Sequence, residues 1–525
     1  MQYGYNSRML SAPITQALAP SPDFPPGLTM AALLTENTAL KGTLAEMQLL
    51  VEKLKFQLAQ LNRYRFGASA EGYAQIPLWP TEPEQAGTPP EPVATQVPAH
   101  ARKRPVRAPL PDSLPREVRE IDLPEGERPC PCCGGERHVM GEEVSEKLDV
   151  TPARFSVIQF RRKTYACEAC ADGSGITTAP MPPQLIEQGL ATPGLLAHVA
   201  VQKFCDHLPL ARQERNFARQ GIELPRSTLS DWMLTLGDRL APLTARLGEI
   251  LLTTDFLGSD DTILPWHPGK SGAGKTSQAR LWVWQARIEE CPLTLFQFAE
   301  DRSGKHPQDF LRGWRGYLQA DAYAGYDAVF ADGKIVEVGC WAHARRKFFE
   351  IAKAAQTPGL AHRIVDRLGE LFTIDKAARE EGLDPPALKQ RRLERAPPLL
   401  SGLKEELESA LPGLPPKGPL ALAIGYTLKN WVALTRYLED GRLPMTNNAV
   451  ERAIRPVAVG RKNFLFVASR RGGEAAAALY SLIESARACG HNPYLYLRDI
   501  LARLPTTLNQ DIDSLLPHRW NPLTA

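Results

Sequence analysis

A multidomain α/β protein is what this sequence predicts. Strand-like and helix-like runs alternate after Ile250, two Cys-x-x-Cys pairs stand apart at Cys130/Cys133 and Cys167/Cys170, and an apolar heptad opens at Leu33. A chain of 525 residues can build several cores. Its 43% apolar and 23% charged residues are those of an ordinary soluble protein, and a net charge of +3 identifies a polyanion partner only if the cations cluster. No apolar run nears the roughly 20 residues of a membrane helix. The N-terminus lacks a basic region followed by an apolar one, so neither a membrane nor a secretory signal is expected. Nine cysteines that form no disulfide framework point to a reducing compartment, the cytoplasm by default.

Residues 1–29 are rich in proline and polar residues and read as disordered. Over 30–66, Leu33, Leu40, Met47, Leu54 and Leu61 recur every seven residues, with Asn37, Leu44, Val51 and Leu58 in the second seam position. That is the a/d stripe of a coiled coil, and self-association through it is expected, as a homodimer or higher oligomer. An amphipathic helix packed on its own domain has the same pattern. Residues 67–118 form a proline-rich linker, whose Arg102, Lys103, Arg104 and Arg107 read as a solvated charge run.

Residues 119–176 make the next unit. Cys130 and Cys133, with Cys167 and Cys170, can close a tetrahedron of thiolates around one structural Zn²⁺, and the alternating EKLDVTPARFSVIQFRRKTYA between them fits a β-rich finger. Cys132 competes with Cys133 as a ligand. Residues 177–248 are helical in pattern. HLPLARQERNFARQGIELPRSTLSDWMLTLGDRL offers a helix up to Gln220, a turn at Gly221 and a short second helix capped near Ser227. In a helix-turn-helix the second helix would lie in a major groove, with Arg226, Ser227, Thr228 and Ser230 near the bases. A two-helix corner of an all-α core fits equally well.

The pattern then switches to strands. ILLTTDFLGSDDTILPW, ARLWVWQARI and LTLFQFAEDRS are followed by the helix HPQDFLRGW, the strand GYLQADAYAGYD ending at Asp321, and IVEVGCWAHARRKFFE, a strand running into a basic helix. This order makes a mixed sheet in which the first and fourth strands are central neighbours and Asp260 faces Asp321. Two carboxylates that close repel unless a cation lies between them. Hard, oxygen-liganded Mg²⁺ or Mn²⁺ meets that need, and two such ions can clamp the attacking and leaving oxygens of a phosphodiester. Glu451, in TNNAVERAIRPVAVGRKNFLF, is the candidate third acid, with Arg452, Arg455, Arg461 and Lys462 ready for phosphates. His343, Arg345, Arg346 and Lys347 of the basic helix are further candidate DNA contacts.

Blander readings stand beside these. A lone Asp at a strand end is usually a turn former. Glu451 paired with Arg455 at i,i+4 would contribute only about 0.2–0.5 kcal/mol. Glu484 rivals Glu451 as third ligand, and a lone histidine beside a tryptophan is usually structural.

The stretches SDDTILPW, GYLQADAYAGYD, GCWAHARRKFFE, NNAVERAIRPVAVGRKNFLF and YSLIESARACGHNPYLYLRDIL occur in the order of a known family. The chain resembles transposases of the insertion-sequence sixty-six family over nearly its whole length. The resemblance implies a DDE active site on an RNase H-like core, with metal-binding Asp260, Asp321 and Glu451. Residues 249–350 and 446–504 would form that core, 351–445 its helical insertion and 505–525 a tail. The family usually has Asp-Glu-Thr at the first site where this chain has Asp260-Asp261-Thr262, which makes Asp261 the rival assignment. The expected activity is DNA transposition: metal-assisted cleavage at the ends of a bacterial element and joining of the 3′-OH ends to target DNA. Small accessory proteins of the same element are expected partners. A zinc-dependent DNA-binding regulator derived from a transposase, and a structure-specific nuclease on the same fold, remain alternatives.

Overall fold

The computed structural model describes residues 34–43, 46, 47, 50, 51, 54, 155–165, 177–187, 189–267, 277–355 and 357–522. The chain divides into two compact units, Glu84–Pro182 and Met1–Pro83 together with Pro183–Ala525.

In the smaller unit, β1 (Thr164–Tyr165) pairs antiparallel with β2 (Thr177–Thr178). Between these strands in sequence are Cys167 and Cys170, which lie outside the described residues, as do Cys130, Cys132 and Cys133. In the N-terminal segment the described residues from 34 to 54 are helical, and Leu40, Met47, Val51 and Leu54 of the heptad stripe are exposed. The remaining stripe leucines, Leu33, Leu44, Leu58 and Leu61, lie outside the described residues.

The larger unit is built on a five-stranded mixed sheet: β3 (Phe256–Trp266), β4 (Ser277–Ile288), β5 (Cys291–Ala299), β6 (Gly316–Gln319) and β7 (Ile335–Val338), in the order β5-β4-β3-β6-β7. The first three form an antiparallel meander, while β6 lies parallel to β3, and β7 to β6. The first and fourth strands of this core are thus central neighbours, as their order in sequence predicts. One boundary differs. Asp321 was expected to end its strand, but β6 stops at Gln319 and Asp321 lies two residues beyond it.

Helices cover the sheet. Before it come α1 (Pro193–Phe204), α2 (Leu210–Ala218) and α3 (Arg226–Leu251). The short α4 (Lys305–Phe310) and α5 (Asp327–Phe330) flank β6 in sequence. Then follow α6 (Trp341–Ala354), α7 (Leu360–Glu380), α8 (Pro385–Ala410), α9 (Pro419–Lys429) and α10 (Trp431–Thr435). Last are α11 (Asn448–Phe464), α12 (Arg470–Ala488) and α13 (Pro493–Arg503).

The second helix of the expected helix-turn-helix requires correction. It is 26 residues long rather than short, and it begins at Arg226 with no side-chain cap from Ser227. Its apolar period runs on through Leu236, Leu240, Leu243 and Leu247, all buried, so the helix continues into the core. Gly237 meets Ala475 of α12 so closely that an added Cβ would lie 2.4 Å from the alanine methyl. Glu214 of α2 ties the corner by accepting the Arg226 N–H at 2.9 Å, and Gly221 supplies the left-handed turn at φ +76°.

The helical insertion has no core of its own. Ile364, Leu368, Leu371, Ala396, Leu400, Leu403 and Ile424 share one apolar cluster with Val338 at the end of β7 and Trp341, Ala344 and Phe348 of α6. At the opposite edge of the sheet, Ser481 and Ser485 of α12 dock on β5. Ser481 Oγ accepts the Phe296 N–H at 2.8 Å, and Ser485 Oγ accepts the Thr294 N–H at 2.9 Å.

Candidate active site

The site starts with strand alternation. Successive side chains of a strand point to opposite faces. Gly258 and Thr262 face α11: a Cβ on Gly258 would meet Val450 and Asn447, and the Thr262 hydroxyl accepts from Arg461 Nη1 at 3.0 Å. Asp260, midway between them, shares that face. Ser259 faces the other way, its hydroxyl 2.7 Å from the buried Tyr326 hydroxyl, and Asp261 shares its face.

The parallel pairing adds the second acid. Gly258 pairs with Gln319, so carrying the register two residues further sets Asp260 level with Asp321. Just beyond β6 the chain turns sharply, with Ala322 at φ +61° and the Asp321 carboxylate accepting the Tyr323 N–H at 3.1 Å.

The third acid is delivered by a stitched segment. Gln319 is buried and donates to the Pro444 carbonyl at 2.7 Å, while the Trp341 N–H donates to the Met445 carbonyl at 3.0 Å. Asn447, 1% exposed, donates from Nδ2 to the Ser259 carbonyl at 2.8 Å, and its N–H donates to the Cys340 sulfur at 3.2 Å. These bonds bring the start of α11 against β3, β6 and β7, with Glu451 in its first turn.

Asp260 feels the charges of the other two acids. The Asp260 carboxyl is pushed up to about 7, first by burial and then by the charge of Asp321, with Asp261 and Glu451 adding to it and the Asp261 N–H opposing. A carboxyl crowded by three others favours its neutral form unless a cation enters. Glu451 lies 3.5 Å from His343 Nε2 and 3.7 Å from Arg346. Burial holds His343 below the ordinary histidine value despite the Glu451 charge, so at neutral pH that contact is no ion pair. Oε1 of Glu451 and Nδ1 of His343 are buried without hydrogen-bond partners.

Asp261 has a different setting. Its side chain is 2% exposed and is held by Arg280 at 2.9 Å and Arg302 at 2.7 Å. Arg302 also reaches Asp321 at 3.6 Å, and its guanidinium lies over the Tyr323 ring at 3.7 Å. Glu484 is paired with Arg487 at 3.0 Å, and the charges acting on it do not include the other acids. Burial and the Asp321 charge thus set Asp260 apart from the Arg-paired Asp261, and Glu451, not Glu484, is among the charges acting on Asp260. The acids supply an all-oxygen donor set with an unpartnered buried oxygen, which suits a hard divalent cation. Among the described residues no three His, Cys, Asp or Glu side chains are gathered tightly enough to hold a metal ion as they stand. The three acids share a field, not a finished cage.

The expected DNA contacts divide. Arg452, Arg455 and Lys462 are exposed on α11, and Lys347 is exposed with its ammonium 4.3 Å from the Tyr426 ring centre. Arg226 and Ser227 are exposed, and Thr228 and Ser230 half-buried. Two residues correct the expectation. Arg345 is only 8% exposed, because its face of α6 carries Trp341, Ala344 and Phe348 into the core shared with the insertion. Arg461 spends its guanidinium on Thr262 and on the Ile263 carbonyl, at 2.7 Å, so it fastens α11 to β3. Sequence reading missed Arg302, Arg280, Gly258 and the role of Asn447. Only the Asn-Asn pair before Glu451 hinted at any of them.

Comparison with known proteins follows the same outline. The model of the "Transposase IS66 family" matches residues 188–475, and that of the "zinc-finger binding domain of transposase IS66" matches 127–171, which includes all four paired cysteines. The "IS66 C-terminal element" matches 481–518, and a model described as "Transposase C of IS166 homeodomain" matches 53–119. The chain is 36% identical over 428 residues to the protein y4jD of Sinorhizobium fredii, covering 78% of this chain and 81% of that one. It is 34% identical over 466 residues to y4hP of the same organism, covering 85% and 82%. Both relatives are described only as uncharacterized proteins. No described helix is long and apolar enough to cross a membrane.

Proposed function

Because the chain belongs to the IS66 family of transposases, we propose that it is a DNA transposase of the DDE type, acting through Asp260, Asp321 and Glu451. It binds the terminal inverted repeats of an insertion sequence, hydrolyses a phosphodiester at each end and transfers the 3′-OH ends to target DNA. What supports this reading is that burial and the charges of Asp321, Asp261 and Glu451 together push the Asp260 carboxyl up to about 7. The strand order, three antiparallel strands followed by two parallel to the first, supports an RNase H-like core.

Both steps are in-line displacements at phosphorus. In the first, water attacks and the 3′ oxygen of the element end leaves; in the second, that 3′-OH attacks and the 3′ oxygen of the target strand leaves. Asp260, Asp321 and Glu451 would hold two divalent ions, Mg²⁺ or Mn²⁺. When bound, such ions supply Lewis-acid stabilisation of the attacking and leaving oxygens. Arg452, Arg455 and Lys462 grip phosphates of the bound strand, with Arg346 and Lys347 on the neighbouring helix, and His343 stays neutral beside Glu451. Arg302 orients Asp321 from the face that Asp261 occupies.

The outlying parts serve recognition. Cys130, Cys133, Cys167 and Cys170 hold one structural Zn²⁺, and the α2–α3 corner presents Arg226, Ser227, Thr228 and Ser230 to the repeats. The N-terminal helix, whose stripe residues Leu40, Met47, Val51 and Leu54 are exposed, pairs two or more copies in a coiled coil so that two ends meet. Accessory proteins of the element join that complex in the bacterial cytoplasm. The test is substitution. Asp260→Asn, Asp321→Asn and Glu451→Gln should each abolish Mg²⁺-dependent nicking of end-bearing DNA while gel-shift binding persists. Unchanged strand transfer by any of the three removes the assignment.

A further inference from the structure

The Glu451 helix ends in an unusual way. Leu465 has φ +67° and ψ −52°, and the Phe466 N–H donates to the Phe464 carbonyl at 2.8 Å. That is a γ-turn of the positive-φ kind, the strained one, here centred on a branched residue instead of glycine. The strain raises two apolar side chains: Leu465 is 66% exposed and Phe466 43%.

The tip is fixed from both sides. The Leu465 N–H donates to the Arg461 carbonyl at 2.8 Å, and Arg461 itself is bonded to Thr262 and Ile263 of β3. The next residue, Val467, bridges to Trp266, its N–H donating to the Pro265 carbonyl at 2.9 Å while its own carbonyl accepts the His267 N–H at 2.9 Å. A strained turn over-determined by its surroundings is where function is sought.

The surface leading to the tip says what arrives. Every exposed charged side chain of α11 is a cation, namely Arg452, Arg455 and Lys462. Steps of three and seven residues set them along one helix face, and the turn at Leu465 follows at the C-terminal end of the helix. A row of exposed cations along one helix suits a phosphodiester backbone. A rigid Leu-Phe tip does not suit phosphate; it suits the flat apolar face of a base that has left its stack. Resting on the transposase reading above, we infer that Leu465 and Phe466 form a wedge that unstacks one nucleobase of the bound DNA and packs against it. From Glu451 to Phe464 the helix rises about 20 Å, so this base lies several nucleotides from the phosphate at the acids.

The experiment uses the full-length, zinc-loaded protein and duplexes of its own terminal repeat, with 2-aminopurine at successive positions and no Mg²⁺ or Mn²⁺. Wild type should raise the fluorescence several-fold at one position or two neighbouring ones. Phe466→Ala should remove most of that rise while gel-shift affinity changes less than about tenfold. Leu465→Gly, which relieves the positive-φ strain, should melt at the wild-type temperature or above it and still lose most of the rise. Bound duplex with no rise at any position, or a rise that survives both substitutions, overturns the wedge. A rise that depends on Phe466, in a protein that never nicks this DNA when Mg²⁺ is supplied, leaves the wedge standing and counts against the transposase reading instead.

Discussion

Gly258 of β3 and Val450 of α11 touch so closely that no side chain fits between them: a Cβ on the glycine would lie 2.7 Å from Val450 Cγ2. Val450 directly precedes Glu451, so this contact sets the depth at which the third acid sits. Gly258→Ala must push the helix start away from the strand, although β3 keeps its pairing with β4 and β6. Misplacement of a reacting group by about 1 Å is worth roughly a hundredfold in rate. Single-turnover nicking should fall by that order, and Gly258→Ala/Val450→Ala should recover much of it by making room. Wild-type nicking by the single variant would show that the contact does not position Glu451.

Asp260 makes stability and activity pull in opposite directions. Its folded carboxyl is pushed up to about 7 from an ordinary 3.8, so the native state holds the proton more tightly than the unfolded chain does. The native state is therefore favoured below about pH 4 and loses that advantage as pH rises through 7. The full loss is at most about 4 kcal/mol. Asn carries no charge to bury. Asp260→Asn should melt several degrees above wild type at pH 8 without Mg²⁺ or Mn²⁺, and the gap should shrink at pH 5. Mn²⁺ should raise the wild-type melting temperature and leave that of the variant unchanged. A variant less stable than wild type at pH 8 would contradict the crowding of the acids.

The adjacent aspartate should behave in the reverse way. Asp261 is buried between Arg280 and Arg302 on the opposite face of β3. Removing one partner of such a group strands the others, at about 2 kcal/mol or more. Asp261→Asn should therefore lower the melting temperature while keeping measurable Mg²⁺-dependent nicking. Abolished nicking in a well-folded Asp261→Asn protein would transfer the first metal-binding role to that residue.

Period and order in the sequence carried much of this arrangement. The strand-helix order sets β3 beside β6, and the alternation of side chains separates Asp260 from Asp261 once the α11 face is known. What could not be read were groups whose meaning depends on distant partners. Asn447 becomes a fastening only when Ser259, 188 residues away, lies beneath it. Arg302 follows a strand in a polar turn, where nothing periodic marks it. Arg345 fails as a DNA contact for a related reason, since a basic helix does not reveal which side its insertion will cover. The length of α3 lies in an apolar period, Leu236 to Leu247, that runs on well beyond the turn and capping residues at its start.

A last consequence concerns the insertion, where Arg392 is 2% exposed. Its guanidinium binds both oxygens of Asp375, at 2.9 and 2.6 Å, and donates to the carbonyls of Tyr437 and Leu443 at 2.8 Å each. It thereby joins α7 and α8 to the segment 437–443, which runs directly into the stitched residues 444–447 and Glu451. An ammonium group cannot reproduce this fork, so Arg392→Lys leaves carbonyls and a carboxylate short of donors. The variant should lose about 3 kcal/mol of stability, and amide exchange should quicken across 437–447 before it does in β3 or β4. End binding should persist while nicking slows, because α11 keeps its cations but Glu451 loses its footing. If exchange quickens evenly over the whole sheet instead, Arg392 supports the fold in general and has no special hold on the acid-bearing helix.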